Sequence, residues 1–165
     1  DEMLDDLDTF WRVRSWVDSR QMSPEQRSKL LPFIQEWIAV GENISSDRLM
    51  RCVNRKLEVR KITQQSTEIF DLILSPVSPV PTYPVDWPMP SNSVERSMAH
   101  IAFTVPYNMS EQPAASVNCG YTASGLPIGL QIAGARFDDL GVLQVAHAFE
   151  LIREPQRAWP QPPAS

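Results

Sequence analysis

The segment Gly125-Leu126-Pro127-Ile128-Gly129-Leu130-Gln131-Ile132-Ala133-Gly134 decides the fold. Side chains alternate across a strand, so Ile128, Leu130 and Ile132 share one face while Gly129, Gln131 and Ala133 share the other. The first face is apolar. The second is small enough for close packing. The turn-forming run Thr122-Ala123-Ser124-Gly125 precedes this strand, and Ala114-Ala115-Ser116-Val117 before it reads as another. Downstream, Asp138 can cap a last helix whose buried stripe is Val142, Ala146, Phe149 and Ile152.

Moving upstream, Leu72-Ile73-Leu74 reads as a short buried strand stopped by Ser75-Pro76. Six prolines then lie from Pro76 to Pro90. They fix φ and remove amide donors, so this stretch is neither helix nor central strand. Val77, Val80, Tyr83, Val85 and Trp87 are interleaved with them, which favours a stiff loop packed over a pocket rather than a solvated linker. Ser91 to His100 can form a short helix.

The first 70 residues differ in character, carrying 11 of the 15 Lys and Arg. Leu4, Leu7 and Trp11, with Phe10, Val13 and Val17, recur at helical spacing and predict a first helix buried on that side. Ser23-Pro24-Glu25-Gln26 has the elements of a capping box and opens a second. Pro32 breaks or kinks the next stretch; Ile34, Trp37 and Ile38 resume the stripe up to Gly41, read as a C-cap. A third, longest helix is expected from Ser46 towards Ile69-Phe70, with Leu49, Val53 and Leu57 in register. The organisation is therefore a helical segment over 1–70, a strand, proline-loop and helix segment over 71–155, and a Pro-rich, extended and partly disordered tail over 156–165. No internal repeat is visible.

Composition limits the function. Fifteen prolines make about 9% of 165 residues against a usual ~5%, and six glycines about 4% against ~7%. Without clustered glycines the chain has neither a phosphate-cradling loop nor a strained nucleophile elbow. A net charge of -5 makes a nucleic-acid binder unlike this chain. No apolar run reaches the ~18 residues of a membrane span. Cys52 and Cys119 read as free thiols, and the expected compartment is cytoplasmic. The chain starts with Asp, which leaves room for something preceding it.

Individual side chains add no catalytic set. His147 falls beside the stripe of the last helix, and His100 ends the short helix; neither has a second His or a Cys/Asp cluster at metal-ligand spacing, so no metal is expected. The basic run Arg48, Arg51, Arg55, Lys56, Arg60 and Lys61 reads as a solvated helix face rather than an RNA contact. Trp11, Trp16 and Trp37 sit near helical stripes. Trp87, between Asp86 and Pro88 in the proline loop, can border a pocket.

From Phe70 onward the chain resembles the C-terminal part of the amidase signature family, hydrolases of carboxamides that include the A subunit of aspartyl/glutamyl-tRNA amidotransferases. The resemblance is carried by Phe70-Asp71-Leu72-Ile73-Leu74-Ser75-Pro76, by Asn108-Met109-Ser110-Glu111-Gln112-Pro113-Ala114-Ala115-Ser116-Val117, by Gly120-Tyr121, by the segment quoted first, and by Ala146-His147-Ala148-Phe149-Glu150. Residues 1–70 fit the family's variable helical stretch without a diagnostic motif. The resemblance implies an α/β fold, a mixed β-sheet covered by helices, of which this chain would be roughly the last third and incomplete.

It also implies Ser-Ser-Lys chemistry, in which one Ser attacks the carbonyl, a cis-Ser relays protons and a neutral Lys is the base. Those three residues belong to an earlier part of the family chain. Ser45-Ser46 here reads as a helix N-cap, and Lys29, Lys56 and Lys61 lie on charged helices, so no catalytic residue is assigned. The expectation is a pocket-forming portion of an amidase acting on a small amide, inactive without the missing N-terminal portion and prone to self-association, with no cofactor. Trp87, Tyr107, Asn108 and Met109 are the candidate pocket residues, within the specificity segments 76–90 and 104–112. The alternatives are the A subunit of a tRNA-dependent amidotransferase, or a non-catalytic binding module.

Overall fold

A computed structural model of the chain describes residues 2–91, 93–158 and 161. Its strands are β1 (Leu72–Pro76), β2 (Ala114–Tyr121) and β3 (Pro127–Gly134), in the order β1-β3-β2. Both pairings are antiparallel, with Ile132 opposite Leu74 on one side and Ala115 on the other. The sheet portion in this chain is thus wholly antiparallel, with the segment that alternates most cleanly at its centre. A register shift between Asn118 and Gly120 bends β2, and the Asn118 side chain accepts from the Gly120 amide at 2.8 Å.

Helix α6 (Asp139–Ile152) covers the Ile132 face. Asp138 caps it by accepting from Gly141 N at 3.1 Å. Ile132, Val142 and Ala146 form a buried cluster, with Leu72, Ala115, Val117, Leu130 and Val145 packed against it. Gly134 allows this contact, since a Cβ there would sit 2.7 Å from Val142 Cγ2. The expected stripe ends early. Ile152, the last residue of the helix, is 83% exposed. β1 is also not the buried strand expected: as an edge strand with one neighbour it leaves Leu74 61% exposed.

The helical half comprises α1 (Glu2–Ser19), α2 (Pro24–Ser28), α3 (Pro32–Ala39) and α4 (Ser46–Thr67). The capping box at Ser23 and Gln26 forms, with bonds of 3.2 and 2.8 Å. Pro32 opens α3 at its first turn, and Ser45 caps α4. Gly41 is not a C-cap; it lies in a 3-10 turn (Val40–Asn43), buried where any Cβ would fall against the Arg12 carbonyl.

The buried side of α1 is more polar than its apolar spacing predicts. Asp6, Leu7, Asp8, Thr9, Arg12 and Ser19 are buried, while Val17 is exposed. Asp8 accepts from Arg12 Nε at 2.7 Å, Trp37 Nε1 at 2.9 Å and Ser97 Oγ at 3.0 Å, and Arg12 also donates to the Val94 carbonyl. Buried polar groups persist when they are paired in this way. On α4, Cys52 and Val59 are the buried residues and Leu57 faces out, so the seam is offset from the one expected.

Ser91 to His100 is not one helix. The described residues there form 3-10 turns at Val94–Arg96 and Ala99–Ile101, which lead into α5 (Val105–Ser110); Asn92 lies outside the described residues. Gln112 then links the halves, donating to Thr67 Oγ1 at the end of α4 and to the Gly134 carbonyl at the end of β3. Residues 155–158 have no regular structure and are exposed; most of the tail beyond them, to which the expectation of disorder applied, lies outside the described residues.

Candidate functional site

The proline loop leaves the sheet at Pro76 and remains tied to it, with Val77 N donating to the Gly129 carbonyl at 3.2 Å. Gly129 is where that loop comes closest to β3. A Cβ there would lie 2.7 Å from Val77 Cγ2 and 3.1 Å from Ser116 Oγ. One residue along the same face of β3, buried Gln131 donates through Nε2 to Ser75 Oγ and to the Phe103 carbonyl, both at 2.9 Å. A single side-chain amide thus braces the end of β1 and the segment entering α5.

Between these two arms lies a cleft of about 870 Å³. Its volume falls in the range of roughly 300–1,000 Å³ typical of small-molecule sites. Residues 76–83 form one wall, His100, Ile101 and Thr104 another, and the sheet the floor. His100 Nδ1 lies 3.1 Å from the Ser97 carbonyl, and its ring meets Tyr83 edge to face at 6.4 Å. Hydroxyls come from Ser78, Thr82, Tyr83, Thr104, Ser116 and Thr122, while among the described residues no Asp, Glu, Lys or Arg lines the cleft.

The four candidates from sequence lie outside this lining. Trp87 is on the later part of the proline loop, 38% exposed, and donates its backbone N–H to the Pro84 carbonyl. Tyr107, Asn108 and Met109 are brought together on α5, the helix that begins just after Thr104. Burial pushes the Tyr107 hydroxyl above its ordinary pKa, whereas Asn108 is exposed. The specificity segments fare differently from the residues within them: 76–83 and Thr104 do line the cleft. His100 was visible as one of two histidines. The bracing role of Gln131 was not, although a lone amide between Gly129 and Ala133 on a small-residue strand face was its signal.

Most of the remaining chemistry-bearing groups have local partners. Lys29 pairs with Glu25 at 2.8 Å, Lys56 Nζ lies 4.1 Å from the Phe10 ring centroid, and Lys61 is exposed on α4. Much of the basic run faces carboxylates: Arg48 meets Asp5 and Asp6, Arg51 meets Asp47, Arg55 meets Asp6 and Glu58, and Arg60 holds Glu111 through two bonds of 3.0 Å. Burial would raise the Asp6 carboxyl, but hydrogen bonds from Arg55 and Arg48 outweigh it and hold the pKa below its ordinary value. Cys52 is buried, which pushes its thiol up, and His147 is exposed on α6. Among the described residues, no group of three or more His, Cys, Asp or Glu is placed to hold a metal ion. No helix among them is long and apolar enough to cross a membrane.

Comparison with known proteins agrees with this architecture. A family model described as Amidase matches residues 7–143. The chain is 37% identical over 95 residues to the A subunit of a glutamyl-tRNA(Gln) amidotransferase from Myxococcus xanthus, covering 56% of this chain and 18% of that protein. Its counterpart of the same description from Lysinibacillus sphaericus is 41% identical over 97 residues, covering 57% and 19%. Among solved structures, 6-aminohexanoate cyclic dimer hydrolase complexed with substrate superposes with a TM-score of 0.70 at 21% identity, over 91% of this chain and 35% of that one. The alignments therefore span about a fifth of the curated relatives and a third of the solved chain.

Proposed function

Because the chain belongs to the amidase family, we propose that it supplies the C-terminal, pocket-forming side of an enzyme hydrolysing carboxamides to a carboxylate and ammonia or an amine. In that reaction a serine Oγ adds to the amide carbonyl, the C–N bond breaks with proton transfer to the departing nitrogen, and water cleaves the acyl ester to restore the serine. The family's Ser-Ser-Lys set would come from the portion preceding these residues. This chain would shape and orient: the proline wall and β3 floor hold the substrate, and Gln131 fixes the distance between the arms. Trp87, Tyr107, Asn108 and Met109 would border the pocket where the two portions meet.

The carrying observation is the lining of the cleft, which among the described residues offers hydroxyls and an imidazole but no lysine, while Lys56 and Lys61 lie on α4 and Lys29, expected on a helix, sits in the turn just past α2. A neutral lysine base needs desolvation beside its serines. The chain is accordingly inactive alone. Free thiols at Cys52 and Cys119 support a cytoplasmic setting. Leu140, Leu143 and Leu151, with His147 between the last two, are exposed on the outer side of α6, a side that would pack against the rest of the enzyme or, without it, against another copy.

The test is the coding sequence preceding Asp1 together with the intact mass of the natural polypeptide. A Gly/Ser-rich segment with a serine pair and an upstream lysine is the expected result; a natural polypeptide of this mass with no such segment overturns the proposal. The curated relatives favour a second reading, the A subunit of a tRNA-dependent amidotransferase. Ammonia release from glutamine that needs partner subunits and charged tRNA would select it.

A further inference from the structure

Resting on the reading of this chain as the pocket side of an amidase, the geometry points to a class of amide: the cleft receives the uncharged, mainly apolar arm of its substrate and not the zwitterionic head of a free amino acid such as glutamine. Gly129 and Ser116 lie on the floor, with Val77, Val80 and Ile101 on the walls. Among the described residues no acid, Lys or Arg lines the cleft, so this side supplies no opposite charge to an ammonium or carboxylate desolvated here. The polar groups present are neutral partners. The Ser97 carbonyl can only accept, so in the neutral imidazole tautomer that donates to it from His100 Nδ1, Nε2 is left as an acceptor for an amide N–H. Pro76, Pro79 and Pro81 fix the wall before a ligand arrives, which lowers the ordering cost of binding.

The experiment titrates the 165-residue chain with acetamide, butanamide, hexanamide and L-glutamine, read by saturation-transfer NMR with competition. Affinity should rise about three- to fourfold per added methylene as each is buried, and glutamine should not displace hexanamide. A flat series, displacement by glutamine, or no saturable binding of hexanamide overturns the inference. Val80→Asp places a carboxylate in the wall and should weaken hexanamide about tenfold or more with the far-UV spectrum unchanged. Should that variant not fold, Ile101→Ser, which shortens the apolar wall, should weaken it severalfold. Undiminished binding in the folded variants puts the ligand elsewhere and also overturns it. The two readings fail separately: glutamine preference removes the ligand class and leaves the amidase reading standing, whereas serine-dependent turnover by the chain alone removes the missing-catalyst reading and leaves the ligand class intact.

Discussion

Replacing Asp8 with alanine should be among the most damaging single changes in the helical half. Asp8 is 8% exposed and its carboxylate accepts from three side chains: Arg12 Nε at 2.7 Å, Trp37 Nε1 at 2.9 Å and Ser97 Oγ at 3.0 Å. Trp37 Nε1 would retain Ser97 Oγ at 3.1 Å. Arg12, equally buried, would keep hydrogen bonds only to the Val94 carbonyl and, at 3.4 Å, the Trp37 carbonyl, besides its place 5.5 Å from the Trp37 ring centroid. Removing one partner of a buried ion pair costs about 3–5 kcal/mol, because the other charge stays desolvated. That is a large share of the ~5–15 kcal/mol by which domains are stable. Urea unfolding followed by tryptophan fluorescence measures the loss. Asp8→Asn keeps an acceptor for Trp37 and Ser97 but weakens the bond to Arg12, so it should fall between parent and alanine. Adding Arg12→Met to Asp8→Ala should recover part of the loss, since no buried charge then lacks its partner. A loss under about 1 kcal/mol for Asp8→Ala would refute the reasoning.

Acid should destabilise the chain through Asp6. Its folded pKa is lowered, so its contribution is present above the unfolded carboxylate pKa of about 3.9 and is lost as pH falls through the folded value; Asp6→Asn should flatten that part of a stability-against-pH curve. Gln131→Ala should cost about 2–4 kcal/mol, combining a buried void with a Phe103 carbonyl that loses its donor; thermal unfolding checks the cost, and a neutral result would remove the brace. The outer side of α6 should drive self-association of the isolated chain, and Leu143→Glu should shift sedimentation towards monomer. A parent chain that is monomeric at every concentration would count against that role.

Legibility from sequence followed the range of the interactions. The caps at Ser23, Ser45 and Asp138 depend on neighbours three residues away, and each forms as the sequence implies. Strand β3 carried its own alternation, and its two faces meet α6 and the proline loop. Long-range features escaped. The polar buried side of α1 depends on Trp37 and Ser97, 29 and 89 positions from Asp8. Gly41 resembled a cap because its real constraint, the Arg12 carbonyl, lies in another helix. Leu74 looked buried because an apolar triplet does not reveal whether its strand has one neighbour or two. The proline loop announced a pocket wall through composition, while the lining of the cleft required the register that sets Gly129 opposite Asn118.

The central claim is that this chain holds the pocket side of an amidase without its catalytic side. Ammonia or amine release from hexanamide and acetanilide by the purified 165-residue chain, with and without a serine-directed covalent inhibitor, tests it most directly. The account predicts no turnover above the uncatalysed rate in either condition. Steady turnover that the inhibitor abolishes, tracking the chain through purification, would contradict it.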